Sequence, residues 1–105
     1  AKNPILVPTT PTPKLQPQAP PHVRPTFHYV YILQSVSEPT RFYTGFTKDL
    51  NARLVHHNAG GDTHTAQYKP WKIKTAIAFT DRTRAMDFER YLKTAAGRAF
   101  AIKRL

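Results

Sequence analysis

A chain of 105 residues without a single cysteine rules out disulfides, iron–sulfur clusters and cysteine-based zinc sites, and its length suits one compact unit with an appendage. Sixteen Lys and Arg against six Asp and Glu give a formal charge of +10, an excess that attracts polyanions, nucleic acid foremost, although it also serves solubility. No run approaches the roughly 18 apolar residues of a membrane span, and AKNPILVPTT lacks a basic region followed by a long apolar stretch, so a soluble intracellular protein with no membrane contact is expected.

Residues 1–25 hold eight of the ten prolines, interleaved with Thr, Gln and Lys. Proline removes backbone donors and pushes its predecessor toward extended geometry, so this segment is expected to be a disordered or polyproline-like tail. Only Lys2, Lys14 and Arg24 of the cationic residues lie there, so the basic character belongs mainly to residues 26–105, the expected folded domain. Beyond Pro8-Thr-Thr-Pro11, Pro17-Gln-Ala-Pro20 and Pro21-His-Val-Arg-Pro25 the tail has no compact Pro-x-x-Pro repeat for a protein partner with an aromatic groove to hold.

From Phe27 the aromatic and branched run FHYVYILQ reads as a strand. SVSEPT supplies turn residues, and RFYTGFT is a second strand close enough to pair as an antiparallel hairpin. Thr47 or Asp49 can cap a helix through about Asn58, with Leu50 and Leu54 on its buried side, until AGGDTH ends it. WKIKTAIAF alternates imperfectly and predicts a third strand. Thr80 or Asp81 caps a second helix in which Ala85, Phe88, Leu92 and Ala95 recur at helical spacing up to Gly97. GRAFAIKRL adds a last short basic helix. The order predicts an α/β chain of the α+β kind: a small three-stranded, mainly antiparallel sheet flanked by helices.

Chemistry has several candidate positions along these elements. Tyr31 and Tyr43 can lie on one face of the hairpin and share a site, or pack there as strand tyrosines commonly do. Arg53 and His57, four apart, form a cationic stripe on the first helix, which a solvated face explains as well. His56 should point elsewhere, and Asn58 reads as the helix terminus. Glu89, beside the apolar stripe of the second helix, wants a cation: a magnesium ion, or Arg53, Arg90 or Lys93. No zinc spacing, phosphate-binding Gly-rich loop or Ser-His-Asp arrangement stands out.

In their order and spacing these residues resemble one family, the GIY-YIG nucleases, particularly the small single-domain bacterial members related to the incision subunit of nucleotide excision repair. Tyr29-Val30-Tyr31 stands at the first motif and Tyr43-Thr44-Gly45 at the second. TKDLNARLVHHN resembles the following helix with its Arg, and FERYLKTAAGRAF the segment with the metal-binding Glu. The resemblance covers nearly all of residues 28–105 and leaves the tail without a counterpart. It implies a DNA endonuclease dependent on Mg2+ or Mn2+, associated with DNA repair, with Tyr31, Tyr43, Arg53, His57 and Glu89 catalytic, Glu89 the metal ligand, and Gly45 a structural glycine. Lys48, Arg53, Lys69, Lys72, Lys74, Lys93 and Arg98 would track the DNA backbone. Tyr29 replaces the motif's Gly and Thr44 its Ile. Ala101 stands near a place where many members carry Asn, with Arg98 as a substitute. Two rival readings are a basic nucleic-acid-binding module that has lost cleavage and an adaptor working through the Pro-rich tail.

Overall fold

The computed structural model describes residues 26–105, and the proline-rich tail lies outside them. β1 (His28–Ser35) and β2 (Phe42–Thr47) form the expected hairpin, and β3 (Trp71–Phe79) joins the other edge of β1. The sheet order is β2-β1-β3, with both pairings antiparallel. β1 is central and covered on both faces, which is why Val30, Tyr31, Ile32 and Leu33 are all buried in succession.

Each face has its own core. Tyr31, Leu33 and Trp71 pack with Leu50 and Leu54 of α1 (Leu50–Asn58). Val30 and Ile32 pack on the opposite face with Ala85 and Leu92 of α3 (Arg82–Leu92), joined by Ala101 of α4 (Ala95–Arg104). Truncating Leu92 to Ala in such a core costs about 2–5 kcal/mol.

β3 serves both cores through one irregularity. Its odd-numbered residues turn inward along the whole strand, but the ladder slips between Ile32 and Leu33, leaving Lys74 as the extra residue. A bulge of this kind reverses the parity of a strand. Trp71 and Ile73 therefore pack beside Tyr31, whereas Phe79 packs beside Val30. The imperfect alternation in the sequence comes from Thr75 at an inward position and from Ala76 and Ala78 at exposed ones.

The helices start at side-chain caps: Asp49, Asp62, Asp81 and Thr94 each accept a hydrogen bond from a backbone N–H of the following turn. Two expectations need correction. AGGDTH is not only a loop, because Asp62 caps a one-turn helix α2 (Thr63–Ala66) within it. The second predicted helix does not run to Gly97: it stops at Leu92, and Gly97 lies inside α4. There a Cβ would stand 2.7 Å from Leu92 Cα and collide with the Tyr91 carbonyl, so this glycine permits close approach of two helices.

Candidate active site

Tyr31 projects from the middle of β1 toward α1 and pairs across the ladder with Gly45. Its ring lies over that glycine, where a Cβ would come within 2.8 Å of Cε1 and closer still to Cζ and the hydroxyl. The glycine of the second motif is thus a seat for the tyrosine of the first. Tyr43, diagonally opposite, has its ring centroid 6.3 Å from that of Tyr31 and 4.8 Å from that of His57.

His57 is 0% exposed, because Leu50, Leu54 and His57 share the inward side of α1. Its Nε2 lies 3.1 Å from the Tyr31 hydroxyl and its Nδ1 2.8 Å from Thr65 Oγ1. Thr65 in turn donates to the Asp62 carbonyl at 3.3 Å. The stripe that a solvated face would explain is half buried: His57 is inside and Arg53, one turn earlier, is exposed. Arg53 stands on a rim with Thr47, Asp49 and His56. Asn58 ends α1 as expected, and its side-chain amide also pairs with both backbone groups of Trp71, fastening the helix to β3.

The electrostatics follow from burial. Burial pushes the Tyr31 hydroxyl well above the usual tyrosine value of 10.0, the neighbouring Tyr43 adds to this, and the Arg53 charge opposes it without prevailing. Burial also holds His57 below its usual 6.5, against the pull of Asp62. A neutral tyrosine faces a neutral imidazole. Glu89, its side chain 18% exposed, pairs with Lys93 at 2.6 Å, and its charge too reaches the Tyr31 hydroxyl. Tyr31, Tyr43 and His57 are thus in mutual contact, with Arg53 and Glu89 within electrostatic range. Of the alternatives for Glu89, Lys93 is the ion-pair partner.

Glu89 suits a hard divalent cation. Magnesium typically takes one or two protein carboxylates and fills its other positions with water and phosphate oxygens. Among the described residues no group of three His, Cys, Asp or Glu converges. A metal ion on Glu89 would compete with Lys93.

The other predicted cations, Lys48, Lys69, Lys72, Lys74 and Arg98, are exposed. Lys74 donates to the Leu105 carbonyl at 2.6 Å. Ala101 packs against the core, and Arg98, a turn earlier, is on the surface. Thr65 escaped the sequence reading; its only signal was Asp62, a capping residue just before it.

Residues 27–101 match the family model described as the GIY-YIG catalytic domain. The structure-specific endonuclease subunit SLX1 of Scheffersomyces stipitis is 40% identical over 75 residues, 65% of this chain and 22% of that protein. A UPF0213 protein of Lacticaseibacillus paracasei is 39% identical over 67 residues, 63% of this chain and 73% of that one. The solution structure of a UPF0213 protein from Bacillus halodurans, 29% identical, covers 73% of this chain and 83% of its own with a TM-score of 0.45. The chain spans about a fifth of the length of the fungal SLX1 relatives.

Proposed function

Because the chain belongs to the GIY-YIG endonuclease family, we propose that it hydrolyses DNA phosphodiester bonds with Mg2+ or Mn2+ and selects its substrates by structure rather than sequence. The observation that carries this reading is the buried hydrogen-bonded series from Tyr31 through His57 to Thr65, with the charges of Arg53 and Glu89 within range of the Tyr31 hydroxyl. The names of the fungal relatives, structure-specific endonuclease subunits, support selection by shape and a partner protein.

Thr65 has one hydroxyl hydrogen, and the Asp62 carbonyl takes it. Nδ1 of His57 then carries the ring proton and donates to Thr65, and Nε2 keeps a lone pair for the Tyr31 hydroxyl. A free Tyr31 phenolate is disfavoured by burial. The tyrosine acts instead as a relay: it takes a proton from the attacking water while passing its own to Nε2, so no full negative charge develops in the buried site. Arg53 clamps a non-bridging phosphate oxygen with its planar fork. Glu89 holds the metal, which when bound neutralises charge on the phosphate and the leaving oxygen. Exposed lysines and arginines follow the backbone and make binding salt-dependent.

Glu89→Ala should bind labelled duplex and branched DNA yet give no products with magnesium. Wild-type rates in that variant would remove Glu89 from the reaction. The Glu89–Lys93 ion pair also favours a second reading, a basic DNA-binding module without cleavage. Binding by the unaltered protein with no metal-dependent products would decide for it.

A further inference from the structure

α2 is a single turn, and a helix so short holds neither its shape nor its place unaided. Yet Thr65, its one buried residue, has to stand with its hydroxyl at His57 Nδ1 for the relay to keep its direction. Several of the hydrogen bonds of α2 are local: the Asp62 side chain caps its start, and the Tyr68 N–H returns to the Thr65 carbonyl at 3.1 Å. Such bonds shape the turn but do not locate it on the sheet.

A residue of β3 does. Trp71, 4% exposed, donates its indole N–H to the Thr65 carbonyl at 2.9 Å. Its backbone N–H and carbonyl pair with the two ends of the Asn58 side-chain amide, at the last residue of α1. The helix that carries His57 and the turn that carries Thr65 are therefore tied to the same point of the sheet. Filling space beside Tyr31 and Leu33 would need only an apolar ring, whereas the indole adds a donor that a phenyl group lacks. We propose that Trp71 is a positioning residue for the reaction. Through the Thr65 carbonyl it sets the Thr65 hydroxyl against His57 Nδ1, and so fixes the tautomer that leaves Nε2 open to the Tyr31 proton. The catalytic consequence rests on the nuclease reading; the effect on the imidazole does not.

Nitrogen NMR of the unaltered protein should place the His57 proton on Nδ1, and a proton on Nε2 overturns the proposal. Trp71→Phe keeps an aromatic filler and removes the donor, so His57 should become a mixture of tautomers. With it, kcat on a labelled branched duplex should fall by up to about 100-fold, the cost of a misplacement of roughly 1 Å, while KM changes little. Leu92→Val lowers stability from the opposite core and should leave both readouts alone. Trp71 is the single tryptophan of the chain, so if Trp71→Phe fails to fold, the analogue with benzothiophene in place of indole removes the N–H at nearly constant shape. An unchanged His57 spectrum without the N–H makes Trp71 a packing residue and overturns the proposal. So does an equal mixing of tautomers in Leu92→Val, which would trace the effect to lost stability. A tautomer that depends on the indole N–H, in a protein that cuts nothing, upholds the positioning and removes the nuclease reading. Cleavage by a protein whose His57 ignores the indole does the reverse.

Discussion

Adding one methyl group at Gly45 should both destabilise the domain and disable it. The new Cβ would stand 2.8 Å from Tyr31 Cε1, with the hydroxyl and Cζ closer still. The ring therefore has to retreat by roughly 1 Å, a displacement of the size that costs about 100-fold in rate. Tyr31 is 2% exposed and tied to His57, so there is little space to retreat into. Such overpacking costs about 1–3 kcal/mol, whereas the usual benefit of Ala over Gly in a strand is only about 0.5–1 kcal/mol. The clash wins. For a domain of this size the melting temperature should fall by roughly 4–8 °C per kcal/mol, read by circular dichroism, with cleavage of a labelled branched duplex measured alongside. In a Tyr31→Ala background the same methyl meets no ring, so a double-mutant cycle should show a coupling of about 1 kcal/mol or more. Wild-type melting and cleavage in Gly45→Ala, or an equal penalty without the ring, would refute the seating of Tyr31 on Gly45.

Tyr31→Phe keeps the ring but strands the buried Nε2 of His57; a loss of about 1–3 kcal/mol of stability with cleavage nearly abolished is expected, and undiminished cleavage would leave Tyr31 a packing residue. Thr65→Val preserves shape but removes the acceptor for Nδ1, so nitrogen NMR of His57 should show a mixed tautomer and the pH–rate profile should shift; an unchanged ring spectrum would exclude Thr65 as the group that sets it. Because burial lowers His57 in the folded state, the unfolded chain takes up its proton first as the pH drops below the usual 6.5. Stability should therefore decline there by up to about 1.4 kcal/mol per pH unit until the folded state also protonates. In denaturant titrations His57→Gln should lose that part of the slope, and identical slopes would contradict a buried neutral imidazole.

Much of the fold was legible because its signals are local. Paired aromatic strands, Asp49 and Asp81 as caps, and the Ala85, Phe88 and Leu92 stripe each specify an element within a few residues. α2 escaped because four residues are too few to show a period. Gly97 was misread because a glycine needed for close helix contact looks, in one dimension, like a glycine that ends a helix. At the site, the five candidate residues were identifiable only through their joint resemblance to one family. Their protonation was not: whether Arg53 or burial governs Tyr31 depends on how α1 closes over the sheet, and burial governs. Thr65 depends on the same closure, since it reaches His57 from a helix absent from the sequence reading.

The slip in β3 gives Lys74 a significance separate from its charge. Upstream of it the strand builds the floor under the tyrosines, and downstream the bed on which α3 lies. Replacing Lys74 would change a surface cation, and deleting it would rejoin the ladder with Ile73 still opposite Leu33 and Thr75 still opposite Ile32, so each half of the strand would keep its facing. One extra residue is thus the geometric condition for an unbroken run of odd-numbered inward side chains to support one core upstream of Lys74 and the other downstream.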